Sequence, residues 1–235
     1  AGLLPDPATV TLATPMAEYV RRCWQAWWRT SPGDLVPLPW QTSGLRPLNR
    51  PERRIAAAGL LLARLGPQPF TRLIEIACAP ALSLPRRVAA LFALLTCRHP
   101  LWDGYLTFTE PAPRPAAVLG RDRVNDLAAS VIVPALLAHA ELRPNPDLAK
   151  TTLELFRNLP SPQEYRILAI AAHRWFMPPD RARRIFAGTA AAQGGLHLYR
   201  NYCEIRAGNC RDCPVAHSGT RLQNATSPPP PEQPT

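Results

Sequence analysis

The chain reads as all-α: a single compact domain of about eight helices, with a Cys-rich loop near its carboxyl end and a disordered Pro-rich tail. Three observations carry that reading. Apolar residues recur at helical spacing in one segment after another, Pro residues punctuate the starts of those segments, and no two alternating segments offer to pair as a sheet. The domain is expected over residues 1–217. The tail is expected over 218–235, where SPPPPEQPT has too few apolar residues to offset the entropy of ordering.

The first helix is expected over residues 16–29. Met16, Tyr19, Val20, Cys23, Trp24, Trp27 and Trp28 fall there at i, i+3, i+4, i+7, i+8, i+11 and i+12, one apolar stripe. Its three Trp could form a base-stacking platform, but a stripe of this kind is expected to be a buried core face. A Pro-rich connection then leads into a helix over 52–64, with Pro51 suited to the first helical position because its missing N–H costs nothing there. Pro69, Pro85, Pro146, Pro162 and Pro179 open later helices in the same way. Residues 101–109, LWDGYLTFT, alternate around a Gly and form the one extended candidate, without an evident partner. Residues 120–142 read as a helix interrupted at Pro134. Residues 180–202 read as a last long helix, weakened at Gly194 and Gly195, that delivers Cys203 to its carboxyl end.

At 235 residues and 46% hydrophobic content the chain can bury a real core. Its net charge of +10 favours an acidic partner such as nucleic acid, although Lys150 is the sole Lys and the Arg excess also fits a composition bias. Cys23, Cys78 and Cys97 stand singly in apolar patterns, as buried thiols do, so no disulfide framework is expected and a reducing cytoplasm is the natural setting. The longest apolar stretch, residues 127–140, is shorter than the roughly 20 residues a membrane span requires, so no membrane partner is expected. The chain opens on AGLLPD without an initiating Met, as a processed product or a piece of a longer protein would. No P-loop, nucleophile elbow or dinucleotide fingerprint occurs, and no catalytic set is evident.

Two constellations have the residue types of a site. Cys203, Cys210 and Cys213 form a C-x6-C-x2-C array after a helix, and a C-x2-C turn aims two thiolates at one point. His217 could complete a Cys3His zinc set. The spacing also resembles the start of the iron–sulfur loop in glycosylases of the endonuclease III type, whose fourth Cys position is Gly219 here. Zinc is the favoured cofactor, an iron–sulfur cluster the alternative, and metal-free thiols the third reading. The second constellation is GLRPLNRPERR, where Arg46, Asn49, Arg50, Arg53 and Arg54 surround a helix start whose N–H groups and dipole favour an anion. A solvated, capped first turn is the bland reading of the same residues.

Several segments, taken in order, resemble a bacterial family known as domain of unknown function 2851. They are AGLLPD, LRPLNRPERRIAAAGLLLARL, LWDGYLTF, LGRDRVNDLAASVIVPALLAHA, LELFRNLP and YCEIRAGNCRDCP. Arg46, Pro47, Asn49, Pro51 and Arg54 fit its RP-x-N-x-P-x-x-R pattern, while Tyr105 and Ser130 stand where the family tends to have His and Asn. The resemblance covers the family's carboxyl-terminal helical half. It implies an amino-terminal, nuclease-like half as a partner absent from this chain. The expected function is therefore a non-catalytic helical module with a structural metal and contacts to nucleic acid. The alternatives are a DNA-processing enzyme and a protein-interaction scaffold.

Overall fold

The computed structural model describes residues 2–30, 38–45, 47–161, 166–175, 177–205, 210 and 213. The expected tail, Arg46, Pro162 and His217 lie outside these residues. The chain divides between Leu155 and Phe156 into two compact units. Secondary structure is helical throughout, and the only β pairing among the described residues is a pair of isolated bridges, Cys97 with Leu119 and Tyr105 with Pro111.

In the first unit α1 (Thr14–Thr30) is followed by α2 (Pro51–Leu65), α3 (Pro69–Ala77) and α4 (Leu84–Leu95). Pro stands at the first or second position of α2, α3 and α4, where a missing N–H leaves no bond unmade. Gly66 ends α2 at φ 71°, a left-handed conformation that Gly adopts at little cost, and its N–H closes on the Leu62 carbonyl at 2.9 Å. Next come α5 (Arg121–Leu127), α6 (Val133–Leu142) and α7 (Pro146–Arg157). α3 packs against α4 and α6, burying Leu73, Ala77, Leu91, Leu95 and Leu136. A second cluster joins α1 to α2 through Met16, Val20, Ala57 and the wholly buried Trp102.

Two expectations change here. The helix over 120–142 is not broken at Pro134: a π-helical turn, Ala128–Ile132, joins α5 to α6 without interruption. A Pro has no N–H for the regular i−4 bond and crowds that carbonyl, and the wider π turn absorbs the mismatch just ahead of it. The LWDGYLTFT segment is not a strand but a 3-10 turn, Trp102–Gly104, followed by a loop that touches its neighbour at a single bridge. Its carbonyls are bound by a side chain, described below.

The second unit contains α8 (Arg166–Arg174), α9 (Pro179–Ile185) and α10 (Thr189–Leu198), the last passing into a π-helical stretch, Tyr199–Glu204. The expected long helix is thus divided, at the turn before Gly188 rather than at Gly194 and Gly195. Gly195 is buried, and a Cβ there would lie 2.6 Å from the Phe186 ring and 2.9 Å from Leu168. It is the point of close approach in the small core of Leu168, Ala192, Leu196 and Phe186. No described helix is long and apolar enough to cross a membrane.

Candidate functional site

The residues around the start of α2 do not share one role. Arg53 is only 1% exposed. Its guanidinium donates to the backbone carbonyls of Trp102, Tyr105 (2.6 Å), Ala116 (2.7 Å) and Ala117 (3.0 Å). A planar fork of fixed donors suits carbonyls arriving from two stretches of loop, which a single ammonium could not bind in parallel. Burial lowers the Arg53 pKa, which the Asp103 carboxylate partly offsets. This arginine ties the loop over 101–119 to α2, and its donors are committed to protein.

Arg50 donates to the Thr42 carbonyl and lies 4.0 Å from a Glu110 carboxylate oxygen. The Asn49 side-chain oxygen accepts a hydrogen bond from Arg123 at 3.1 Å, and Arg123 also pairs with Asp126 at 3.3 Å. Arg54 is exposed. Of the described members of the expected anion cluster, Arg54 alone combines exposure with no side-chain hydrogen bond or ion pair.

Of the Cys array, Cys203, Cys210 and Cys213 are described, and His217 is not. The Cys213 N–H donates to the Cys210 carbonyl at 3.3 Å, with Cys210 exposed and Cys213 buried. Cys203 sits in the π-helical stretch, where its sulfur accepts the Trp175 indole N–H at 3.3 Å and its carbonyl accepts Arg174 at 3.3 Å. The thiol chemistry suits zinc or an iron–sulfur cluster. Among the described residues, however, no three Cys, His, Asp or Glu side chains are gathered where one ion could be held.

The first unit also contains a site that the sequence did not reveal. Residues of α1 and α2 line a groove of about 780 Å³, within the range of small-molecule sites. From α1 it takes Tyr19, Cys23, Trp24 and Trp27, and from α2 Glu52, Ile55, Ala56 and Gly59, each set at helical spacing. The remaining wall comes from the first residues of the chain, Trp40, His99, Trp102 and Phe108. The stripe of α1 is therefore core only at its lower end. Met16 and Val20 are buried, Trp24 and Trp27 are partly open, and Trp28 is 71% exposed.

The aromatic geometry is specific. Tyr19 meets Trp102 edge to face at 5.8 Å and 87°, and Trp102 meets Phe108 at 5.2 Å and 68°. Trp24 anchors the opposite lip, its indole N–H donating to the Pro5 carbonyl at 2.9 Å while its ring stacks on Trp28 at 6.0 Å. His99 Nδ1 accepts the N–H groups of Leu101 and Trp102 at 3.2 and 3.3 Å, which places the ring proton on Nε2. Burial pushes the Tyr19 hydroxyl and the Cys23 thiol above their ordinary values. Among the described lining residues Glu52 is the one carboxylate and no Lys or Arg appears; the Glu52 Oε2 is closed to solvent with no hydrogen-bond donor.

No protein-family model, curated protein or solved structure matches this chain.

Proposed function

We propose that this chain is a non-catalytic helical binding module whose ligand occupies the aromatic groove between α1 and α2. One observation carries the reading: Trp24, Trp27 and Trp40 border an open cavity whose floor includes the buried Trp102, instead of closing over it as core. Aromatic side chains bury 150–250 Å² each when enclosed. Leaving Trp24 and Trp27 partly open forgoes that stabilisation unless a ligand completes the enclosure. Gly59 supports the same conclusion. A Gly inside a helix costs about 1 kcal/mol relative to Ala, yet a Cβ at Gly59 would meet no atom within 4 Å. Packing within the chain does not require it, and Gly59 lies in the groove wall.

The chemistry of the wall favours holding over reacting. The Cys23 thiol is pushed up by burial, which keeps it protonated at neutral pH, and His99 spends Nδ1 on the backbone. The direct test is tryptophan emission during titration with a panel of small apolar and aromatic compounds, for the native chain and for Gly59→Leu, which fills the groove with a good helix former. Saturable quenching that Gly59→Leu abolishes is expected. Binding unaffected by Gly59→Leu, or none across the panel, would refute the reading.

A second reading, contact with nucleic acid, is favoured by Trp28. It is exposed, stacked on Trp24, and carried on a helix with Arg21 and Arg29, also exposed. Exposed aromatics beside Arg are the elements of single-strand binding. Binding of an oligo-dT strand that weakens steeply with salt and falls several-fold in Trp28→Ala is expected. Salt-independent binding would contradict it.

A further inference from the structure

Building on the groove reading, we infer that the ligand of this site is a small organic cation bearing an alkylated ammonium group. The first ground is charge. The chain carries +10, yet no Lys or Arg is among the described residues that line the aromatic groove, and Glu52 is the one carboxylate among them. A cavity that excludes the commonest charge of its own protein selects against anions and for cations.

The second ground is the state of that carboxylate. A carboxylate oxygen held away from water without a donor is unfavourable unless a positive charge compensates it. Glu52 Oε2 is in that position, with no hydrogen bond and no ion pair. Oε2 itself is closed to solvent, so a cation in the groove compensates that oxygen through space. An alkylated ammonium, which carries its charge on methyl or methylene groups, brings that charge against an aromatic wall without N–H groups that the wall cannot bind.

The third ground is the wall itself. Tyr19, Trp24, Trp27 and Trp40 border the cavity, and the negative faces of aromatic rings attract cations, most strongly when the site is desolvated. The volume of about 780 Å³ fits a small molecule rather than a folded partner. The nearest comparison within the same unit lacks this selectivity. The cavity beside α3 is lined by both Glu75 and Arg143, so its charges offset one another.

The test is calorimetric titration of the full chain with phenyltrimethylammonium and with its uncharged carbon isostere, tert-butylbenzene, repeated on Glu52→Gln. The cation is expected to bind about tenfold tighter than the isostere. Glu52→Gln is expected to erase most of that preference, read as the ratio of the two affinities in the variant against the native chain. Equal binding of the two probes by the native chain overturns the cation inference and leaves the groove reading standing; this arm needs no variant, so a folding defect in Glu52→Gln cannot obscure it. A cation preference that survives in Glu52→Gln also overturns it, because the carboxylate would then have no part. Binding of neither probe overturns both readings.

Discussion

Replacing Arg53 by Met removes the guanidinium while keeping most of the apolar stem, and should cost this chain much of the stability of its first unit. The guanidinium donates to four carbonyls. One of them, Trp102, also accepts the Tyr105 N–H at 3.4 Å and keeps a partner. The carbonyls of Tyr105, Ala116 and Ala117 would be left to find water. At about 1–3 kcal/mol for each stranded group, with relaxation of the loop reducing the sum, the loss should be about 3–5 kcal/mol. Arg53→Lys, which restores charge without the fork, should lose about 2 kcal/mol. Urea unfolding followed by tryptophan emission is the natural assay, since five of the six Trp lie in the first unit. A loss below about 1 kcal/mol in Arg53→Met would show that the loop holds itself and would refute the clamp. The clamp also bears on function: it fixes the loop that carries Trp102 and Phe108 into the groove, so Arg53→Met should weaken ligand binding from outside the cavity.

Gly195→Ala should destabilise the second unit by about 1–3 kcal/mol through its contact with Phe186 and Leu168, read as a lowered urea midpoint in the near-ultraviolet signal of Trp175. Gly59→Ala should do the opposite in the first unit, raising stability by about 0.5–1 kcal/mol while narrowing the groove and weakening its ligand, a pairing of effects that thermal melts and titration would reveal together. Stability should also fall as pH rises from about 8.5. Burial raises the thiol pKa of Cys23 and Cys97 in the folded chain, so above the unfolded value the folded state binds more protons and is progressively disfavoured. Urea midpoints at neutral and alkaline pH would measure the slope, and Cys97→Ala should flatten it.

The helices were largely legible in the sequence because their signals are local. Pro51, Pro69, Pro85, Pro146 and Pro179 all stand at the starts of helices, as their fixed φ and missing N–H require. The misreadings came from effects that no window of sequence contains. The 101–109 segment alternates like a strand, but its carbonyls belong to Arg53, about fifty residues earlier in the chain. Gly194 and Gly195 look like a weakness in a helix until the Phe186 ring is seen against Gly195. The division between Leu155 and Phe156 falls within α7 and is marked by no change of composition.

The candidate site was legible only in its parts. The spacing of Trp24, Trp27 and Trp28 showed one face of a helix, but periodicity cannot say whether a face meets protein or a cavity. Glu52 resembled a first-turn acid favoured by the helix dipole, which it is, and its isolation from donors follows only from what surrounds it. Charge density around α2 suggested an anion site, yet Arg53 is spent on carbonyls and Arg50 on Thr42. The signal available in the sequence was Gly59, a helix-breaking residue among Ile55, Ala56 and Leu60 for which no backbone turn gives a reason.

The most direct test of the groove is the set of six indole N–H resonances in a nitrogen-edited proton spectrum, followed during addition of phenyltrimethylammonium. The account predicts saturable shifts at Trp24, Trp27, Trp40 and Trp102, which line the cavity, and an unmoved Trp175 in the second unit. Shifts confined to Trp175, or a uniform drift of all six, would contradict it.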